Sequence, residues 1–221
     1  MTVFTRPLFA VPLLAPMLAL AIAGCAKKGE LVISDGVGVT ALRSACPAVG
    51  VPDYTGDVTL FSDPARRDAG ALDLVASITN LRSQCSESAD KIYTAATFDV
   101  LARRLDTRGA RRVELPYFVT VLRGGSAVVT KRLGTVVIDF ADGQERAAGK
   151  GTAAAYVDRA EATLPADIRE KITKKRKAGD ETAAVDPLNE PEVRAALARA
   201  SFELLVGFQL DEKQLGYNAT R

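Results

Sequence analysis

The sequence contains no histidine, and this absence excludes more chemistry than any other feature of its composition. Without histidine the chain has no Ser-His-Asp triad, no Cys-His pair and none of the imidazole ligands that most zinc and copper sites use. Tryptophan is also absent, and only 6% of the residues are aromatic. Carboxylates remain, but acidic pairs such as Asp211 with Glu212 are usually solvated when they lie in loops. We therefore expect a protein that is not an enzyme and that holds no cofactor.

A metal site is not expected either. The acid-rich loop between Asp180 and Glu190 offers oxygen ligands of the kind that calcium prefers. It lacks the spacing and the glycine of an EF-hand loop. A solvated loop is the more ordinary interpretation of this segment.

The chain has no strong charge of one sign, with 29 Lys and Arg residues against 27 Asp and Glu residues. Nucleic-acid binding usually requires a concentrated basic face, so this balance argues against a nucleic-acid partner. The basic run Lys174–Lys177 is short. Such a run favours contact with anionic lipid, but a solvated helix end explains it equally simply.

The apolar run within Leu8–Gly24, which has no charged residue, is short for a membrane-spanning helix, which needs about 20 apolar residues. Pro12 and Pro16 interrupt it, and Arg6 precedes it. A charged start, an apolar middle and a small-residue end form the order of a secretory signal peptide. We therefore predict that the chain is exported.

Cys25 directly follows this stretch and completes the run Ile22-Ala23-Gly24-Cys25. This run resembles the cleavage box of bacterial lipoprotein precursors, and the resemblance covers residues 1–26. It implies that residues 1–24 are removed and that Cys25 receives acyl chains, which anchor the protein to a membrane. Ala26, rather than Asp, follows the cysteine, which in the enteric pattern implies the periplasmic face of the outer membrane. An ordinary signal peptide with a chance cysteine and a retained membrane anchor are the alternatives.

The sequence has three cysteines, and lipid on Cys25 leaves Cys46 and Cys85. An exported protein meets an oxidising compartment, so these two are expected to form a disulfide. Closing a loop from residue 46 to residue 85 contributes about 4 kcal/mol in the chain-entropy model. Two buried free thiols, or a bond to a partner protein, are the alternatives.

Apolar and polar residues alternate through much of the chain, which is typical of half-buried strands. Gly124-Gly125 and Asp142-Gly143 predict tight turns of the hairpin kind, and Pro116 favours an edge strand or a bulge. The polar run Ser83–Asp90 predicts the end of a strand. Residues 152–164 fit a helix or a strand, with a weak preference for strand. The segments with clear alternation are 57–61, 72–79, 91–102, 113–122, 128–140 and 202–210.

The last alternating segment is the most regular one. Its apolar side chains all fall on one face, and Gly207 on the other face predicts close packing there. Two helices precede it, over 166–178 and 192–200, and the first has acidic residues near its start and basic residues near its end. The inward-facing residues of the last strand are Phe202, Leu204, Val206, Phe208 and Leu210.

These patterns predict a mainly β protein. The expected fold is an antiparallel β-sandwich, for which an immunoglobulin-like outline is one arrangement, with one or two short helices before the last strand. The expected organisation is a signal peptide over 1–24, a lipidated N-terminus and tether over 25–50, and one periplasmic domain over 51–221 with a helical insertion at about 165–200.

The sequence predicts the cellular location of the protein more sharply than its molecular function. The globular part resembles uncharacterised envelope lipoproteins of Gram-negative bacteria, and this resemblance implies no activity. The expected function is a non-enzymatic structural or interaction module of the cell envelope, whose partners are the membrane through the lipid and another envelope protein or a glycan. The alternative is an accessory lipoprotein with a glycan or lipid ligand in a groove. An apolar pocket with convergent polar groups would favour this alternative, and a closed core with an exposed strand edge would favour the interaction module.

Overall fold

The chain folds as two four-stranded β-sheets packed face to face, with short helices against them. The computed structural model describes residues 43–63 and 65–220. Within these ranges the strands are β1 Ala48–Gly50, β2 Asp57–Phe61, β3 Leu72–Glu87, β4 Lys91–Arg104, β5 Arg111–Arg123, β6 Ala127–Phe140, β7 Arg146–Asp158 and β8 Phe202–Phe208. The helices are α1 Arg159–Ala162, α2 Ala166–Thr173, α3 Pro191–Ala200 and α4 Glu212–Thr220.

The strand order confirms the predicted β-sandwich. One sheet has the order β1-β8-β5-β6 and the other has the order β2-β3-β4-β7. Neighbouring strands are antiparallel, except that β1 runs parallel to β8. β4 pairs with β7 and β5 pairs with β8, and the chain crosses between the sheets after β1, β4, β6 and β7. The same two pairings join strands B with E and C with F in immunoglobulin-like sandwiches.

The predicted alternation places the core between the sheets. Every even-numbered residue of β4 from Ile92 to Arg104 is buried, whereas the odd-numbered ones face outward. In β8, Leu204 and Val206 are fully buried in the core, as predicted. This strand ends at Phe208, two residues earlier than expected, although Leu210 still packs against the core.

Glycine allows the two sheets to approach each other. The rings of Phe98 and Tyr117 meet edge to face, with centroids 5.2 Å apart. A Cβ atom on Gly151 would lie 2.1 Å from Phe98 Cζ, so only glycine fits beneath this ring. The hydroxyl of Tyr117, in one sheet, donates a hydrogen bond to the carbonyl of Thr152, in the other, at 2.8 Å. Gly207 has the predicted close neighbour on the opposite face, because an added Cβ would lie 2.3 Å from Thr55 Oγ1.

Pro116 does not lie in an edge strand, contrary to expectation. It belongs to β5, which is flanked by β6 and β8. The pairing of β5 with β8 reaches only to Tyr117 and Phe208, and the carbonyl of Pro116 then accepts a hydrogen bond from Gln209 N at 2.9 Å. The missing N–H of Pro116 thus falls beside Gln209, where the pairing with β8 ends, so it affects only the last position of that ladder.

Both predicted glycine turns form, but only the first connects two neighbouring strands of the same sheet. Gly124 and Gly125 have positive φ values of 63° and 78° and close the β5–β6 hairpin, as predicted. Gly143 also has a positive φ, of 75°. The turn that contains it leads from β6 in one sheet to β7 in the other, because β7 pairs with β4. The expectation of a second hairpin of the same kind was therefore wrong.

The polar run after residue 83 does not end β3. The strand shifts its register between Thr79 and Arg82, at the positive φ of Asn80, and then continues to Glu87 in pairing with β4. Backbone hydrogen bonds and a covalent link, rather than apolar burial, keep this part extended. The link is the predicted disulfide, in which the sulfur atoms of Cys46 and Cys85 lie 2.05 Å apart.

The folded domain reaches further toward the N-terminus than residue 51. Ala48–Gly50 pairs in parallel with β8, next to the disulfide of Cys46. The disulfide therefore joins the start of one sheet to the far end of β3 in the other sheet.

The helical insertion precedes the last strand, as predicted. Residues 152–158 belong to β7, and α1 then forms a single turn. α2 ends at Thr173, five residues earlier than expected, and α3 begins at Pro191. The two helices share a small apolar cluster of Ile168, Ile172, Val193 and Ala196.

The C-terminal helix α4 was not predicted. Asp211 Oδ1 accepts a hydrogen bond from Gln214 N at 2.7 Å, and Gln214 Oε1 accepts one from Asp211 N at 2.9 Å. This reciprocal pair is a capping box, a signal that the sequence Asp211-Glu-Lys-Gln214 carries. Asn218 fixes the helix over β2 by donating to the carbonyls of Tyr54 and Asp57.

We predict that Phe208→Ala lowers the free energy of unfolding by about 3–5 kcal/mol, because it removes a fully buried ring and leaves a cavity. Glu203→Gln, on the opposite face of the same strand, is the matched control and should change stability by less than about 0.5 kcal/mol. Urea denaturation of both variants measures the difference. Equal midpoints would show that β8 has no buried face.

We predict that the double variant Cys46→Ser/Cys85→Ser loses about 4 kcal/mol of stability, because the unfolded chain is no longer closed into a loop. Equilibrium denaturation of the variant and of the oxidised wild type gives this difference. Reduced wild-type protein should resemble the variant. A variant as stable as the oxidised wild type would refute the stabilising role of the bond.

Candidate functional site

The predicted lipid-attachment residue, Cys25, lies outside the described residues. The described chain begins at Arg43, which donates hydrogen bonds to the carbonyls of Ala200 at 2.9 Å and Leu197 at 3.4 Å. The N-terminal end of the described chain is therefore held at the C-terminal end of α3.

A groove lies on the outward-facing surface of the second sheet, across β3, β4 and β7. We call it the outer groove, and its volume is about 650 Å³. This volume is within the usual range of about 300–1,000 Å³ for ligand sites. Its lining side chains are Leu72, Val75, Ser77, Leu101, Arg103, Leu105, Gln144, Arg146 and Ala148.

The strand register explains why this surface is concave. Leu101 in β4 lies directly between Ser77 in β3 and Ala148 in β7, and both of these neighbours are small. Leu101 is 55% exposed and Leu105 is 46% exposed, so apolar surface remains open to solvent. The helix α4 covers the neighbouring part of the same face over β2, where the rings of Phe61 and Tyr217 meet.

Two arginines face each other across the groove. Arg103 in β4 is directly opposite Arg146 in β7, and like charges in such cross-strand pairs are destabilising. Glu145 compensates for one of them, because its Oε1 accepts a hydrogen bond from Arg103 Nε at 2.5 Å. This hydrogen bond, with the charges of Arg103 and Arg146, lowers the pKa of the Glu145 carboxyl below its usual value. The three groups together carry one net positive charge at neutral pH.

Arg104 holds the turn that supplies Glu145 and Gln144 to the groove. Its side chain is fully buried and stacks over the ring of Phe140 at 5.1 Å. Its guanidinium donates to four backbone carbonyls at 2.8–2.9 Å, and no carboxylate in the described part of the chain forms a salt bridge with it. These carbonyls belong to Thr107, Gly109, Ala141 and Gln144, so one side chain ties together two loops at the end of the sandwich.

Four of the carboxylates that the sequence offered for catalysis or calcium have structural partners. Asp211 caps α4. Asp180 and Asp186 accept hydrogen bonds from the backbone N–H groups of Lys177 and Leu188, and Glu190 pairs with Lys171. Across residues 43–63 and 65–220, no three His, Cys, Asp or Glu side chains come close enough to hold a metal ion.

The basic run Lys174–Lys177 follows α2 instead of ending it. Arg176 is only 6% exposed, so the run is not a uniform basic face. This arrangement makes it a poorer candidate surface for an anionic membrane than the sequence suggested.

β6 forms an exposed sheet edge. Val128 and Leu133 are about two-thirds exposed, at 65% and 66%. The edge also carries Lys131 and Arg132, and its register against β5 shifts between Val121 and Leu122. Charged residues and bulges are the usual means by which proteins prevent edge-to-edge pairing. The outer groove is therefore the better candidate site.

Sequence reasoning missed both the outer groove and Arg104. Arg104 falls in phase with the buried residues Ala96, Phe98, Val100 and Ala102, so the alternation itself carried a signal that this arginine faces inward. The groove had no such signal, because its residues come from three strands and one turn.

We predict that Arg104→Met destabilises the protein by about 3–5 kcal/mol, because several buried carbonyls lose their donor. Arg103→Met is the matched control, since the neighbouring side chain faces solvent and should cost less than about 1 kcal/mol. Denaturant midpoints of the two variants give the comparison. Similar losses would mean that the buried guanidinium has no special role.

Among the helices of the described ranges, none is long and apolar enough to cross a membrane. Comparisons of this chain with protein-family models, with curated proteins and with solved structures found no match.

Proposed function

We propose that this chain is a lipoprotein of the bacterial cell envelope that acts as a non-enzymatic interaction module. Acyl chains on Cys25 would anchor it to the periplasmic face of the outer membrane. The run Ile22-Ala23-Gly24-Cys25 after an uncharged stretch supports the anchor. Acylation of this kind gives stable attachment without a spanning helix, at about 0.8 kcal/mol per buried methylene.

The position of the outer groove is the observation that carries the interaction role. Arg43 and the Cys46–Cys85 disulfide mark the end of the sandwich where the tether arrives. Cys85 pairs with Thr94 in β4, whereas the groove lies around Arg103, nine residues further along the same strand. At about 3.3 Å per residue, the two are about 30 Å apart. An anchored domain can thus present the groove away from its attachment point.

The engagement of the acidic side chains supports a non-enzymatic role. Asp180, Asp186, Glu190 and Asp211 act as caps or ion-pair partners. A general acid or base needs a free carboxyl within reach of a substrate. These four side chains are committed to the backbone or to lysine instead.

A second function is favoured by the lining of the groove. An accessory lipoprotein that binds a glycan or lipid ligand needs apolar surface with a few convergent polar groups. The outer groove offers Leu101 and Leu105 beside Arg103, Arg146 and Gln144.

We predict that Cys25→Ser releases the protein from membranes or leaves it as an uncleaved precursor, because serine cannot form the thioether to lipid. Membrane fractionation and metabolic labelling with palmitate measure both outcomes. The double variant Cys46→Ser/Cys85→Ser is the matched control, because it removes the other two cysteines and should keep both the membrane association and the label. Unchanged fractionation together with unchanged labelling of Cys25→Ser would disprove the anchor.

A further inference from the structure

The outer groove has two chemically distinct parts. Leu72 and Val75 in β3, Leu101 in β4 and Leu105 just after β4 supply apolar surface. Arg146 and Gln144 come from β7 and the turn before it, and Arg103 lies where the two parts meet. A ligand that fills this groove therefore needs an apolar portion and a polar portion side by side.

The net positive charge of the groove favours a ligand whose polar portion is anionic. Arg103 and Arg146 face each other, and Glu145 accepts a hydrogen bond from Arg103. Among the described residues, the Arg146 guanidinium makes no hydrogen bond or salt bridge. One anionic group placed between the arginines would neutralise the net charge and relieve the repulsion of the cross-strand pair.

The backbone around the groove favours a lipid over a peptide. The N–H and C=O groups of β3 and β4 face other strands on both sides, because both strands are internal in the sheet. A peptide lying across Val75 and Leu101 would lose the hydration of its own backbone without gaining partners, at a cost of about 1–3 kcal/mol per group. An acyl chain has no such groups to desolvate.

We propose that the outer groove binds one anionic single-chain lipid, with its acyl chain on Leu72, Val75, Leu101 and Leu105 and its headgroup between Arg103 and Arg146. This inference rests on the proposed envelope location, where such lipids occur. The groove lies about 30 Å along β4 from the tethered end of the domain, which suits a lipid monomer better than contact with the anchoring bilayer.

The experiment uses the full-length protein reconstituted in zwitterionic nanodiscs. The probe is a palmitate analogue that carries a photoreactive diazirine in its chain, and mass spectrometry identifies the labelled peptides. We expect labelling of the β4 and β7 peptides that contain Leu101 and Ala148. A probe of the same chain length with a trimethylammonium headgroup should not label them.

The variant Arg103→Gln/Arg146→Gln tests the headgroup contact. Its labelling at the groove should fall about tenfold, the loss that corresponds to one charge-assisted contact. Both side chains are exposed, so the fold should persist, and circular dichroism checks this. Lys150→Gln, which removes a positive charge further along the same face, is the matched control and should label like the wild type.

Several outcomes would overturn the inference: equal labelling of the double variant and the wild type, equal labelling by the cationic probe, or labelling confined to other surfaces. Displacement of the probe by an acidic peptide but not by palmitate would assign the groove to a protein partner instead. Wild-type protein that is anchored through Cys25 but unlabelled at the groove would refute this inference alone. Labelling of the groove in protein without lipid on Cys25 would refute the proposed anchor alone.

Discussion

The buried guanidinium of Arg104 is the interaction on which the candidate site depends. A charged group is costly to bury, and its hydrogen bonds to backbone carbonyls, with the ring of Phe140 beneath it, offset this cost. These carbonyls belong to the loop after β4 and to the turn between β6 and β7. Because that turn links the two sheets, Arg104 fixes both the closure of this end of the sandwich and the position of Glu145 beside Arg103.

The two ends of the sandwich are held by different means. At the end where Arg43 lies, the Cys46–Cys85 disulfide joins the sheets covalently, and α2 and α3 add a small apolar cluster. At the other end, the link is polar: Arg104 donates hydrogen bonds to the carbonyls of two loops, and Arg111 in β5 pairs with Asp73 in β3. The apolar core lies between these ends, where glycine at position 151 lets Phe98 and Tyr117 pack across the sheets.

Most of the fold could be predicted because alternation records burial directly. In β8 each inward side chain is apolar, and in β4 all but Thr94 and Arg104 are apolar, so the period of two was visible along the chain. The wrong or missing predictions concern segments that are held by interactions other than apolar burial. The outer part of β3 is held by pairing and a disulfide, Pro116 is tolerated because β8 ends beside it, and α4 depends on a capping box and on Asn218. None of these appears as a hydrophobic pattern.

The sequence by itself determined the sandwich class and the pairing of Cys46 with Cys85, and it predicts an export signal with the candidate lipid residue Cys25. Each of these follows from local pattern or from simple counting. Only the tertiary structure decided that Arg103 lies opposite Arg146 and that Leu101 lies between two small residues. The physical reason is strand register, because the neighbours of a residue in a sheet are set by hydrogen bonds between distant segments. A groove built from three strands and a turn therefore exists only after the sheets have assembled.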